Sequence, residues 1–275
     1  MSNVNRRVLP GFGLSLGYAS VYMSLLVFIP LAAVFIRSAS LDWAEFVQAV
    51  WTPRARAAYA LTLGTSLLAA LVNIPFGVLI AWVLVRYQFP GRRILDAIMD
   101  LPFALPTAVA GLVYSSLYVK KGWLGQYLVP LGIQGAYSRL AIVLVLIFIG
   151  LPFIVRTVQP VLNDLEAEVE EAAACLGATR FQTFWRVLVP TLLPATVTGF
   201  ALAFARGIGE YGSVVFVSGN MPFRTEIAPV LIVSKLESFR YAEAAAVAVV
   251  LLAMSFALLF AINVLERWTK RHGYA

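Results

Sequence analysis

Long stretches without charged residues alternate with short polar connections along the chain. An apolar run of about 20 residues is enough for a helix that crosses a bilayer. Six such segments, one of them short and one interrupted by prolines, predict an all-α integral membrane protein with six transmembrane helices. The segments are Val8–Ile36, Ala57–Val85, a third that begins at Asp96, Leu140–Val155, Thr191–Val217 and Ala244–Leu265.

Prolines predict where these segments bend or stop. Pro102 and Pro106 lie four residues apart in the third segment, and each removes a helical hydrogen bond, so a continuous straight helix is unfavourable there. A broken segment at membrane depth normally lines a cavity rather than facing lipid. Pro75 predicts a kink in the second helix, and the fourth is predicted to end at Pro152 and Arg156.

Four polar connections join the predicted spans, in addition to a longer polar stretch between the fourth and the fifth. Six spans place both termini on one side of the membrane, but Lys and Arg are divided too evenly between the two sides to orient the chain. The arginine-rich turn Arg86–Arg93 is predicted to be cytoplasmic. The predicted external connections are Asp42–Arg56, Lys120–Tyr137 and Ser218–Arg240.

Composition narrows the class of protein further. Hydrophobic residues make up 61% of the 275 and charged residues 13%, whereas a soluble domain carries about 25% charged residues. The net charge of +7 comes from basic residues at the ends of apolar runs, where they anchor spans at lipid headgroups, so nucleic acid is not expected as a partner. One cysteine and one histidine provide neither an intramolecular disulfide nor a zinc or haem ligand set.

A polar stretch, Glu170–Pro190, interrupts the apolar pattern between the fourth and fifth spans. We predict that Asn163 caps a first helix whose third residue is Glu166, and that Gly177 ends it in a left-handed turn. Thr179, with a glutamine three residues later, predicts a capping box for a second, shorter helix that stops before the proline at 190. The alternative is a solvated acidic amphipathic helix that caps a membrane bundle.

The spacing of this stretch resembles the EAA loop of the membrane subunits of ABC importers. The resemblance implies a type I ABC importer permease fold with a cytoplasmic coupling helix that docks into a cleft on a separate ATPase. The residues implied in coupling are Glu171, Ala172, Ala173 and Gly177. The rest of the motif is Val187, Val189 and Pro190, where the family usually has Ile and Leu at the first two positions.

Four longer stretches resemble the T-type permease of bacterial sulfate/thiosulfate importers: RYQFPGRRILDAIMDLPFALPTAVAGL, LPFIVRTVQPVL, EEAAACLGATR and GEYGSVVFVSGN. The resemblance covers most of the chain from about Tyr59 to the end of the sixth span. It implies a multi-pass protein of the bacterial inner membrane with both termini cytoplasmic. The implied partners are a W-type permease, an ABC ATPase dimer and a periplasmic sulfate/thiosulfate-binding protein.

ATP chemistry is expected on a partner and not on this chain. The sequence contains no GxxxxGK[ST] motif, and none of its four lysines follows a glycine. We therefore expect a permease subunit that is not itself an enzyme and binds no cofactor, with ATP and Mg bound by the ATPase. The predicted division is 1–56 for the tail, first helix and external loop, 57–266 for the transmembrane domain with its coupling loop at 159–190, and 267–275 for the cytoplasmic tail.

Charged residues near or within the spans are candidates for the translocation pathway or the bundle interior, because a charge in a membrane is costly. Arg206 and Glu210 are spaced to share a helix face, and they either line the pathway or form an internal salt bridge. Asp100, four residues after Asp96, is favoured as a structural residue near a helix N-terminus. Arg156 serves either an anion exit or an anchor at the headgroups.

Three rival functions remain at this stage. A permease for another oxyanion, such as molybdate, would share these features, and the sequence does not separate sulfate from thiosulfate. An ion-coupled secondary transporter would carry coupling-ion sites and often inverted repeats. An intramembrane enzyme would need a nucleophile–base pair or a metal site, for which the sequence has no matching constellation.

Overall fold

The computed structural model describes residues 12–165 and 167–272, and helices dominate them. Residues 1–11, 273–275 and Glu166, the predicted third residue of the first coupling helix, lie outside the described residues. The principal helices are α1 (Phe12–Ser38), α2 (Trp43–Val50), α3 (Pro53–Arg86), α4 (Arg92–Ile98), α5 (Leu101–Ala104), α6 (Thr107–Tyr118), α7 (Gly125–Leu128), α8 (Arg139–Asp164), α9 (Ala167–Cys175), α10 (Arg180–Ile208), α11 (Val214–Val217), α12 (Ala228–Glu237) and α13 (Tyr241–His272).

Five helices in the described part of the chain are long and apolar enough to cross a membrane: α1, α3, α8, α10 and the Tyr241–Val264 part of α13. Six were predicted, and the difference is the third segment. It consists of the short helices α4, α5 and α6, which are separated at Met99–Asp100 and at Leu105–Pro106. The predicted break at the two prolines is therefore confirmed, and its pieces are too short to count as a continuous span.

The core is the three-helix contact of α3, α8 and α10. Glycines permit the close approach of these helices. A Cβ added at Gly199 of α10 would lie 2.9 Å from the Cα of Ile154 on α8, and one added at Gly77 of α3 would lie 2.7 Å from the Cβ of the same isoleucine. Asn73 is fully buried in this core beside Gly150.

The prediction that the fourth helix ends near Pro152 and Arg156 is wrong, because α8 continues through Pro152 and Pro160 to Asp164. A proline weakens the hydrogen-bond ladder at its own turn, but apolar packing on both sides holds this helix together. Its later turns bury Ile154, Val158 and Leu162 completely. The same continuation places Asn163 inside α8, so the prediction of an N-cap at this residue is also wrong.

Pro190 does not stop the second helix of the polar stretch, contrary to prediction. The chain passes through a π-helical turn, Phe184–Leu188, and continues as one helix to Ile208. The Val189 N–H donates to the Phe184 carbonyl five residues back, so the hydrogen-bond pattern is already offset where the proline removes a donor. The first span uses the same arrangement, with the π-helical turn Ser24–Phe28 just before Pro30.

The fifth span is shorter at its far end than predicted. Helix α10 ends at Ile208 with Gly209 at its C-cap, not near Val217. The chain then turns into α11, which packs against α6. Gly111 allows this contact, because a Cβ there would lie 2.3 Å from the Ser213 carbonyl oxygen.

Two predicted loops contain helices. The connection after α1 holds α2, which begins with a capping box formed by Asp42 and Glu45. The Ser218–Arg240 connection holds α12, whose apolar face is buried at Ala228 and Leu231. Neither helix was predicted from the sequence, because each lies in a polar connection and buries only one narrow face.

Candidate functional site

The predicted glycine turn within the polar stretch Glu170–Pro190 is confirmed. Gly177 has φ +82°, and its N–H donates to the Ala174 carbonyl at 2.9 Å. The Ala178 N–H donates to the Ala173 carbonyl at 3.0 Å. These two hydrogen bonds form a Schellman motif, which ends α9 in a left-handed residue that glycine adopts without strain from a Cβ.

The predicted capping box after this turn is also confirmed. The Thr179 N–H donates to Gln182 Oε1 at 2.8 Å, and the Gln182 N–H donates to Thr179 Oγ1 at 3.3 Å. Two local motifs therefore fix the change of direction between α9 and α10. The polar stretch is a helix, a tight turn and a second helix, as its sequence predicts.

The residues of the EAA motif lie on the accessible side of this unit. Glu171, Ala172 and Gly177 are exposed, and Ala173 is half-buried. The side chain of Leu176 beside them is 88% exposed. An alanine-rich surface next to an exposed leucine can be approached closely by another protein.

One arginine joins α9 to the transmembrane helices. Arg86, the last residue of α3, donates from Nη2 to Glu170 Oε1 at 2.7 Å and to the Leu165 carbonyl at 3.3 Å. Its guanidinium also lies 5.7 Å from the ring centroid of Trp82, one turn earlier on α3. The end of α3, the end of α8 and the start of α9 therefore meet at a single side chain.

A cavity of about 950 Å³ lies between α3 and the polar stretch Glu170–Pro190. Its wall is mainly apolar and includes Trp82, Phe184 and Leu192, with Glu170 and Arg180 among its polar residues. Trp82 and Phe184 meet edge to face, with their ring centroids 6.5 Å apart. The tryptophan thereby links α3 to the π-helical turn at the start of the fifth span.

Arg206 and Glu210 form the internal ion pair that the sequence allowed as one of two interpretations. The glutamate lies beyond the end of α10, in the turn before α11, and not on a shared helix face as predicted. It is 2% exposed, and its Oε1 accepts hydrogen bonds from Ser213 N–H at 2.9 Å and Ser213 Oγ at 2.8 Å. The pair therefore fixes the turn that leads into α11.

Arg156 binds the two aspartates of the broken third segment, a pairing that the sequence did not predict. Its guanidinium donates to both carboxylate oxygens of Asp100 at 2.9 and 2.7 Å and to Asp96 Oδ1 at 2.6 Å. Gln159 accepts from the same arginine and donates to Asp96. The network joins α4 and α5 to α8. It lies beside a cavity of about 990 Å³ that Arg92 also lines.

The matching family model is the one described as "Binding-protein-dependent transport system inner membrane component", and it covers residues 73–271. The chain belongs to this family. Relatives of the permease include proteins named sulfate transport system permease protein CysT. The one from Synechocystis sp. is 53% identical over 92% of this chain and 88% of its own length, and the one from Escherichia coli K12 is 48% identical over 95% of both chains.

Solved structures show that the permease has the fold of ABC importer membrane subunits. A chain of a bacterial ABC transporter involved in the import of the acidic polysaccharide alginate matches with a TM-score of 0.76 at 18% identity, over 92% of this chain and 94% of that chain. A chain of the MetNI methionine ABC transporter, in an inward-facing conformation, matches with a TM-score of 0.58 at 20% identity, over 83% of this chain and 99% of that chain. The predicted resemblance to T-type permeases is confirmed, and the chain is a multi-pass membrane permease.

Two further charged contacts between distant parts of the permease were also missed by sequence reasoning. Arg86 and Glu170 are 84 positions apart in the sequence, and Arg54 and Glu226 are 172 apart. The second pair is bidentate, at 2.7 and 2.5 Å, and joins the start of α3 to the loop before α12. The sequence placed each arginine at an end of α3, where a basic residue was interpreted as a headgroup anchor. It gave no indication of the carboxylate partner.

Proposed function

We propose that this permease carries sulfate or thiosulfate across the bacterial cytoplasmic membrane in an ATP-driven importer supplied by a binding protein. Relatives that are 48–53% identical over nearly their whole lengths carry the name of sulfate transport permeases, which supports the anion. The unit formed by α9, the Gly177 turn and the start of α10 supports coupling to an ATPase. Its EAA residues are accessible to a second protein, while its other side contacts the transmembrane helices.

The assembly pairs this chain with a W-type permease, an ABC ATPase dimer and a periplasmic sulfate/thiosulfate-binding protein. A similar fold occurs in a bacterial alginate ABC transporter solved in complex with a periplasmic protein bound to an alginate pentasaccharide, and this supports an external docking partner. Both termini and the turn at Gly177 lie in the cytoplasm. ATP and Mg bind to the ATPase, and this chain binds no cofactor.

Coupling begins at Glu171, Ala172, Ala173 and Gly177, which form the docking surface for the ATPase. Closure of the ATPases displaces α9, and the displacement reaches the bundle, which then alternates between outward- and inward-facing forms. Arg156 and Asp100 hold the broken third segment against α8 during this movement. Arg206 and Glu210 stabilise the turn between α10 and α11, so their first role is in the bundle interior.

Reconstitution of the complete complex in liposomes tests this function. We expect labelled sulfate and thiosulfate to accumulate only when ATP and loaded binding protein are both present. Accumulation of molybdate in place of either anion would show that the permease serves another oxyanion. Uptake that persists without any ATPase subunit would instead establish an ion-coupled secondary transporter.

A further inference from the structure

Arg86 joins α9, the first helix of the proposed coupling segment (residues 167–190), to the transmembrane bundle. We propose that this arginine is a positioning residue: it transmits displacement of α9 to the ends of α3 and α8 and is not required for the ATPase to dock. The inference rests on the proposed function, since it assigns a role within the same coupling event.

The hydrogen bonds of Arg86 link three elements that are far apart in sequence. Nη2 lies 2.7 Å from Glu170 Oε1, in the first turns of α9, and 3.3 Å from the carbonyl oxygen of Leu165, the residue at the C-cap of α8. The side chains of Arg86 and Glu170 are 22% and 31% exposed, so water screens this pair less than a pair on the open surface. A shift of Glu170 therefore acts on α3 and α8 together.

Trp82 adds a second connection from the same turn of α3. Its indole ring lies under the Arg86 guanidinium, 5.7 Å away, and meets the Phe184 ring edge to face at 6.5 Å. Phe184 begins the π-helical turn that follows the capping box. The last turn of α3 therefore contacts both α9 and the start of α10. A movement of these two helices would reach the bundle through this turn.

The surroundings of the pair leave space for movement. The cavity of about 950 Å³ beside it is bordered by Glu170 and Ala174 of α9 and by Trp82 of α3. Beside this space, the ion pair holds α9 directly against the end of α3. An arginine suits the position better than a lysine, because a planar guanidinium can donate to two acceptors and stack on an aromatic ring at once.

Docking and transmission use different faces of α9, so they can be separated by mutation. Glu170 is half-buried and faces Arg86, whereas Glu171 is exposed. Removing the Arg86 charge leaves the exposed EAA residues and the Gly177 turn in place. A loss of transport with intact ATPase binding is the signature expected of a transmitting contact, and a loss of both is the signature of a damaged docking surface.

The test uses the complete complex with Arg86→Gln, Arg86→Lys and Glu170→Gln, together with Arg86→Glu, Glu170→Arg and the reversed pair that combines these last two. Arg56→Gln is the matched control, because Arg56 is an exposed arginine at the opposite end of the same helix. The measurements are co-purification of the ATPase, ATP hydrolysis stimulated by loaded binding protein, and uptake of labelled sulfate in liposomes. Glu170→Gln removes the ion pair while retaining Arg86, in case the arginine variant folds poorly.

We expect Arg86→Gln and Glu170→Gln to co-purify with the ATPase as the wild type does. Their stimulated hydrolysis and uptake should fall by about 2- to 30-fold, the range of mutations that alter coupling between sites. Arg86→Lys should retain part of the activity, the reversed pair should exceed either of its single substitutions, and Arg56→Gln should match the wild type.

Three results would overturn the inference: full stimulation in Arg86→Gln, loss of ATPase co-purification in both neutral variants, or a reversed pair no better than its single substitutions. Each of them leaves the proposed function standing when the wild-type complex transports sulfate. A wild-type complex that shows no uptake dependent on ATP and binding protein refutes the proposed function and this inference with it.

Discussion

Gly177→Val is the substitution that tests the coupling turn most directly. Gly177 has φ +82°, and no heavy atom outside its chain neighbours lies within 4 Å of a Cβ added there. The substitution therefore introduces backbone strain without a steric clash. An L-residue in the left-handed region costs about 1–2 kcal/mol, and a β-branched side chain belongs at the upper end of that range.

This strain is small beside the stability of the bundle but large for one turn. One or two kcal/mol corresponds to a factor of about 5–30 between two conformations. If the turn reopens, the hydrogen bonds from Gly177 and Ala178 to α9 are lost, and α9 tilts relative to α10. We expect normal membrane insertion of the variant, with ATPase co-purification and binding-protein-stimulated hydrolysis reduced by about 5- to 30-fold.

Gly132→Val provides a matched control. Gly132 has φ +80° and equally open surroundings, but it lies in the connection between α7 and α8, far from the coupling segment in sequence. It should insert normally and couple fully despite similar local strain. Glu171→Lys should give a partial loss, because it changes the charge of the docking surface and leaves the turn intact. Full coupling in Gly177→Val, or equal loss in Gly132→Val, would refute the assignment of this turn.

Three further predictions concern the bundle and its orientation. Gly199→Ala should destabilise the purified permease by about 1–3 kcal/mol, because the new methyl group would lie 2.9 Å from the Ile154 Cα; an unchanged melting temperature would contradict the close helix contact. Arg206→Gln should destabilise the complex by about 3 kcal/mol and reduce its yield more than Glu210→Gln does. The first change leaves a carboxylate that is 2% exposed without its cation, whereas the second leaves an arginine that is 35% exposed; equal yields would argue against this asymmetry. After replacement of Cys175, a cysteine at position 168 should react only with membrane-permeant reagents in intact cells, and labelling by an impermeant reagent would overturn the cytoplasmic assignment.

Local motifs of the proposed coupling segment could be predicted from the sequence because their determinants lie within a few residues of one another. The left-handed conformation of Gly177 and the capping box of Thr179 and Gln182 depend on neighbouring backbone groups. Each was correct in position and in type. The ion pair of Arg206 and Glu210 was also within reach, because four residues of separation bring the two side chains together in a helix or a tight turn.

Features set by tertiary packing were not predictable in the same way. Pro152 was interpreted as the end of the fourth helix, yet buried side chains from α3 and α10 hold α8 together across both Pro152 and Pro160. The partners of Arg156 lie 56 and 60 positions away in the sequence. A single sequence contains the charges of such a pair but not the packing that brings them together, so only the broken third segment itself could be foreseen.

Packing around Arg86 connects the end of α3 to the end of α8. The last turns of α3 and α8 share one buried apolar cluster, in which Ala81 and Leu84 of α3 meet Ile154, Val158 and Leu162 of α8. Both helices carry a proline before this cluster, at Pro75 and Pro152, where the weakened hydrogen-bond ladder allows a bend. A force applied at the end of α3 therefore acts on the ends of two helices that are packed as one body.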